Sequence, residues 1–155
     1  MMNQASPAPQ QPRAKALALA SLVTIVALLI VGTVSSGVIR HLVQTAPSGL
    51  TVYLGFRQRG SAKWTVLPVA LFWLVIMVFI WLYLLGWASI VRGHYSAIEI
   101  AMTIVVGLAS CFAIAQALLL RSGVRWFLGL GISIVVLALQ LGAFRLSLLP
   151  GIANH

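Results

Sequence analysis

A single carboxylate, Glu99, stands in a chain of 155 residues with three histidines and one cysteine, so any acid–base, nucleophilic or metal chemistry must be assembled from these few groups. Glycosidic cleavage takes two carboxyls, a Ser-His-Asp arrangement takes an acid to orient its histidine, and metal-assisted transfer takes clustered ligands. One Glu supplies none of these sets, and the expectation is a protein that is not an enzyme. Cys111 is alone within an apolar run, which leaves no intramolecular disulfide and no redox or metal-binding pair. Gly-rich phosphate loops and zinc-type Cys/His spacings are absent from the sequence as well.

Two roles compete for Glu99. An ionisable group inside an apolar segment is a default candidate for proton or cation coupling, with Arg92 and His94 just upstream as its modulators. The same glutamate closes the tetrapeptide Ser96-Ala97-Ile98-Glu99, which matches a capping box: the serine hydroxyl takes the amide three residues on, and the carboxylate reaches back to the serine amide. A carboxylate in a first turn also meets the positive end of the helix dipole. The cap is the favoured reading, and the two roles are compatible.

His41 and His94 leave room for single-histidine ligation of a haem or pigment, although no cofactor is expected from the motifs. If each follows a separate membrane-crossing segment, the two fall on opposite faces about 30 Å apart, too far to share one haem. His155 sits on the terminal tail, on the His94 side. Gln116 and Gln140 read as interhelical hydrogen-bonding groups that lie apart, and Arg145 as a cation snorkelling to the interface.

The elements that carry these residues follow from composition. Hydrophobic residues make up 61% of the chain, charged residues 7%, and mean hydropathy is +1.07. Four apolar runs, residues 16–39, 66–91, 96–120 and 126–144, each reach the roughly 20 residues needed to cross a hydrocarbon core about 30 Å thick. None alternates as a barrel strand would. The predicted fold is therefore all-α: a polytopic membrane protein built as a four-transmembrane-helix bundle, with the lipid bilayer as its first partner.

Residues 1–15, rich in Pro and Gln at the start, read as a disordered tail, and the first apolar run is long for a signal-peptide core, so it is expected to persist as a helix. Residues 40–65 read as a basic and aromatic loop. Pro47-Ser48-Gly49 signals a turn, the alternation of Val52, Leu54 and Phe56 with Thr51, Tyr53 and Gly55 suggests a short strand or interfacial segment, and Tyr53, Arg57, Arg59, Lys63 and Trp64 suit lipid headgroups. The links at 92–95 and 121–125 are short enough to set neighbouring helices antiparallel and in contact. Residues 145–155 form a C-terminal tail.

Four crossings place both termini on one side. The cations then divide four against six, too evenly to choose that side. A net charge of +9 and a pI near 11.6 would suggest nucleic acid in a soluble domain. Here the cations gather at segment ends, where anionic headgroups are the natural counter-charge, and no nucleic-acid partner is expected.

Rows of small residues, Ala109/Ala113/Ala117 and Gly107/Cys111/Ala115, nominate the third segment as the centre of the bundle. The second segment is bulky throughout, and Trp73, Trp81 and Trp87 are assigned to a face turned toward lipid, pigment or another membrane subunit. The leading functional expectation is a non-catalytic accessory or assembly subunit of a larger membrane complex. A small oligomeric proton- or cation-coupled transporter using Glu99, and a lipid- or pigment-contacting module, are the alternatives.

Overall fold

With no water to satisfy peptide groups in hydrocarbon, apolar segments must bond their own backbones, and helices do so within one segment. The computed structural model, which describes residues 11–90 and 93–153, is helical throughout, with no strand among the described residues. Its long helices are α1 (Gln11–Val34), α2 (Val38–Phe56), α3 (Ala62–Leu84), α4 (Ala97–Leu119) and α5 (Trp126–Ser147), followed by the single turn α6 (Pro150–Ala153). Four of them, α1 from Pro12, α3, α4 and α5, are long and apolar enough to cross a membrane. The protein is a multi-pass integral membrane protein.

Several boundaries differ from the sequence reading. The helix expected from Ala16 begins at Gln11; the rest of the expected tail lies outside the described residues. The bulky helix stops at Leu84 rather than Val91, because Gly86 adopts a left-handed conformation (φ 76°) and closes a Schellman turn in which Trp87 N–H donates to the Leu82 carbonyl and Gly86 N–H to that of Tyr83. At the other end of the chain, α5 runs on to Ser147 and α6 occupies part of the expected tail.

The largest correction is α2. Residues 38–56 form a 19-residue helix where a loop was expected, and neither the turn at Pro47 nor a strand over 51–56 forms. Pro47 lies inside the helix and is buried. The helix closes with Gln58 in the left-handed region (φ 54°), where Arg59 N–H reaches the Leu54 carbonyl and Gln58 N–H that of Gly55.

The five long helices close into a ring in the order α1, α2, α5, α3, α4 and back to α1, with α3 drawn inward so that it also touches α1 and α2. The centre is thus α3, not the small-residue helix α4. The reason is complementary size: Trp73, Met77 and Ile80 of α3 fill the interior, and Ser110, Ala113 and Ala117 of α4 let that helix approach closely from outside. α4 and α5 make no contact despite their short link, because both lie against α3.

Two packed layers result. One joins Leu17, Ala62, Val66, Ala113 and Leu120 near one end, and the other joins Leu28, Trp73, Met77, Val106 and Val136 beyond it. Gly55 of α2 permits a close crossing with α1: a Cβ there would sit 2.7 Å from the Ala14 carbonyl oxygen and 2.8 Å from the Ala18 Cβ. At the opposite end of the same helix pair, Gly32 lies against His41 and Val38. α2 therefore runs the full height of the bundle beside α1.

Candidate functional site

Glu99 caps α4. Ser96 N–H and Ser96 Oγ each donate to Glu99 Oε2 at 2.8 Å, and Glu99 N–H donates to Ser96 Oγ at 3.3 Å, completing the capping box expected from the tetrapeptide. The sequence did not reveal its surroundings. Because α2 starts at this end, Arg40 and His41 are brought there, and the Glu99 charge acts on both His41 and Tyr95. Burial pushes the Tyr95 hydroxyl above the usual phenol range, and nearby Tyr83 and Glu99 act in the same direction. Tyr83 Oη donates to the Gly93 carbonyl at 3.2 Å, and the two tyrosine rings lie 6.1 Å apart.

His41 and the α3–α4 connection carrying His94 therefore share one end of the bundle, which corrects their assignment to opposite faces. His94 is exposed, and Arg92 lies outside the described residues, as does His155. No cluster of three potential metal ligands forms among the described residues.

The opposite end is basic. Arg13 Nη1 donates to the Leu119 carbonyl at 2.6 Å and Lys63 Nζ to the Leu120 carbonyl at 3.4 Å, so two cations serve the C-terminus of α4 where free carbonyls and the negative dipole end lie. Of the residues expected at headgroups, Arg57 lies over the Tyr53 ring at 5.5 Å and Lys63 over the Trp64 ring at 5.7 Å, and Arg59 is exposed beside them. Trp64 is also structural. Its Nε1 donates to Ser122 Oγ at 3.0 Å, its carbonyl accepts from Ser133 Oγ at 2.8 Å, and Gly129 lies directly beneath its indole.

Between the ends runs a polar interior that sequence reasoning missed. Gln44 Nε2 donates to Ser147 Oγ at 2.8 Å, Gln140 Nε2 donates to the Gln44 carbonyl at 3.1 Å, and Thr51 Oγ1 donates to Thr65 Oγ1 at 3.2 Å. The interhelical bond expected of Gln116 does not appear among the described residues, and its helix α4 does not touch α5, which carries Gln140. Gln44, Ser48, Thr51 and Gly55 recur at helical spacing on the buried face of α2, and that period was the available signal.

Of the three tryptophans assigned to an outward face, Trp73 is only 3% exposed and belongs to the core, Trp81 is half-buried, and Trp87 is 77% exposed beyond the end of α3. An outward-facing recess lies elsewhere. An apolar groove of about 400 Å³ runs between α1 and α4, with Ala20 and Ala109 among its lining and Leu19, Val23, Leu108 and Phe112 beside them. Comparison with family models, curated proteins and solved structures finds no match to this chain.

Proposed function

We propose that the protein is a non-catalytic membrane subunit that acts by lateral association, receiving an apolar transmembrane helix of a partner in the groove between α1 and α4. The groove carries this reading. In lipid, helices associate through close packing rather than a hydrophobic drive, and small residues at the contact let backbones approach. Ala20 and Ala109 supply that contact. A lipid chain needs no such recess, since it conforms to any apolar surface.

Ala109→Phe fills the groove without touching the polar interior. It should lower recovery of the partner subunit at least tenfold after mild solubilisation of native membranes, whereas Ile134→Phe on the exposed face of α5 should leave recovery unchanged. Equal recovery from both variants contradicts the proposal.

The same reading includes five crossings rather than four. At 19 residues α2 is about 28 Å long, close to the hydrocarbon thickness. Its polarity is inverted relative to a water-soluble surface helix: Gln44, Thr45, Ser48 and Thr51 are buried, while Ile39, Leu42, Leu50 and Tyr53 are exposed. Five crossings put the termini on opposite sides, in place of the shared side that four would give. Arg13 and Lys15, then Arg57, Arg59 and Lys63, then Arg121 and Arg125 gather at one end, seven of the ten cations, while Arg40 and Arg145 lie at the other. By the positive-inside rule the seven-cation end, with the start of α1, is cytoplasmic. There Tyr53, Arg57, Arg59, Lys63 and Trp64 meet anionic headgroups.

A second reading, a proton- or cation-coupled transporter, is supported by one observation, that Arg40, His41 and Tyr95 lie at the same end of the bundle as Glu99. Its test is flux in proteoliposomes carrying Glu99→Gln.

A further inference from the structure

We propose that the bundle holds one water molecule at its centre, bound by Ser48 of α2, Trp73 of α3 and Ser110 of α4. Ser48 Oγ, Trp73 Nε1 and Ser110 Oγ are buried without hydrogen-bond partners. Their residues are 1, 3 and 2% exposed, and all three line the same cavity of about 10 Å³. That is the space one water requires. Ser21 and Thr24 of α1 complete the polar part of the lining, and Ala113 belongs to its apolar part. Thr24 Oγ1 already donates to the Ala20 carbonyl at 3.1 Å, so toward the cavity it can only accept.

The donor set selects the occupant. An indole N–H donates and never accepts, so the bound species must present a lone pair to Trp73, and a cation would be repelled. An anion could accept from the indole and both hydroxyls, but no cationic side chain lines the cavity, and an uncompensated charge at this depth is strongly disfavoured. Water accepts from Trp73 and from one serine and donates to the other. Those three bonds are the usual complement of a buried water and satisfy every orphaned atom at the site. The water would join α2, α3 and α4 at one point. This inference does not depend on the groove: it concerns the interior, and lateral association could fail without affecting it.

Full-length protein with ¹⁵N-labelled tryptophan indoles, in lipid nanodiscs, provides the test. The Trp73 indole proton, identified by its loss in Trp73→Phe, should show a nuclear Overhauser cross peak at the water frequency. Ala113→Val occupies the cavity and leaves the three polar groups in place, so it should abolish that cross peak. Unchanged resonances of the other four tryptophans report an intact fold; if Ala113→Val disturbs them, Val69→Ile serves as the second filling variant. Three results would overturn the proposal: no water cross peak in the wild type, a cross peak that persists in the folded filling variant and so arises from hydroxyl protons, or a shift of the Trp73 resonance when gluconate replaces chloride.

Discussion

Ser96 and Glu99 lie three residues apart, and their side chains satisfy each other's backbone amides, so the four letters from Ser96 to Glu99 were enough to locate the start of α4. The residues that share its end of the bundle were not legible, because Arg40 and His41 come there only through α2. A glutamine serves as well as a glutamate in this box, so Glu99→Gln removes the charge and keeps the cap. The folded bundle should tolerate it, whereas Ser96→Ala should lose about 1 kcal/mol of stability in detergent unfolding. Proton- or cation-coupled flux, if it is the protein's activity, should vanish in Glu99→Gln. Flux that continues unchanged removes Glu99 from any transport mechanism.

The four apolar helices were legible because length and composition alone demand them in a bilayer, and α3 ended early because the left-handed Gly86 stopped the helix. α2 was hidden by the same logic. Its buried face carries Gln44, Ser48 and Thr51, which lowers its hydropathy, and Pro47-Ser48-Gly49 resembles a turn although bundle packing keeps it helical. The order of helices in the ring was also illegible: bulk in α3 marked the centre, and small residues in α4 marked the helix that packs against it. Because the exposed side of α2 is apolar, Leu50→Asn places an amide against hydrocarbon midway along the helix. It should destabilise the bundle by about 1–3 kcal/mol in SDS titration. A helix lying on the aqueous surface would be indifferent to the change or improved by it.

At the scale of the molecule, five helices in a closed ring turn polar groups inward and aliphatic groups outward, the arrangement expected when the solvent is lipid. Four crossings divide the cations too evenly to choose a side, whereas the proposed five gather seven of the ten at one end and so favour an orientation. Lateral association through the α1–α4 groove and a hydrated interior both presuppose this frame. The direct measurement uses Ser35→Cys, in the α1–α2 turn, and Gln58→Cys, in the α2–α3 link, each in a Cys111→Ser background and sealed vesicles of known orientation. With α2 crossing the bilayer, a membrane-impermeant maleimide labels one of the two positions in intact vesicles and the other only after permeabilisation. Labelling of both positions from the same side would contradict the account.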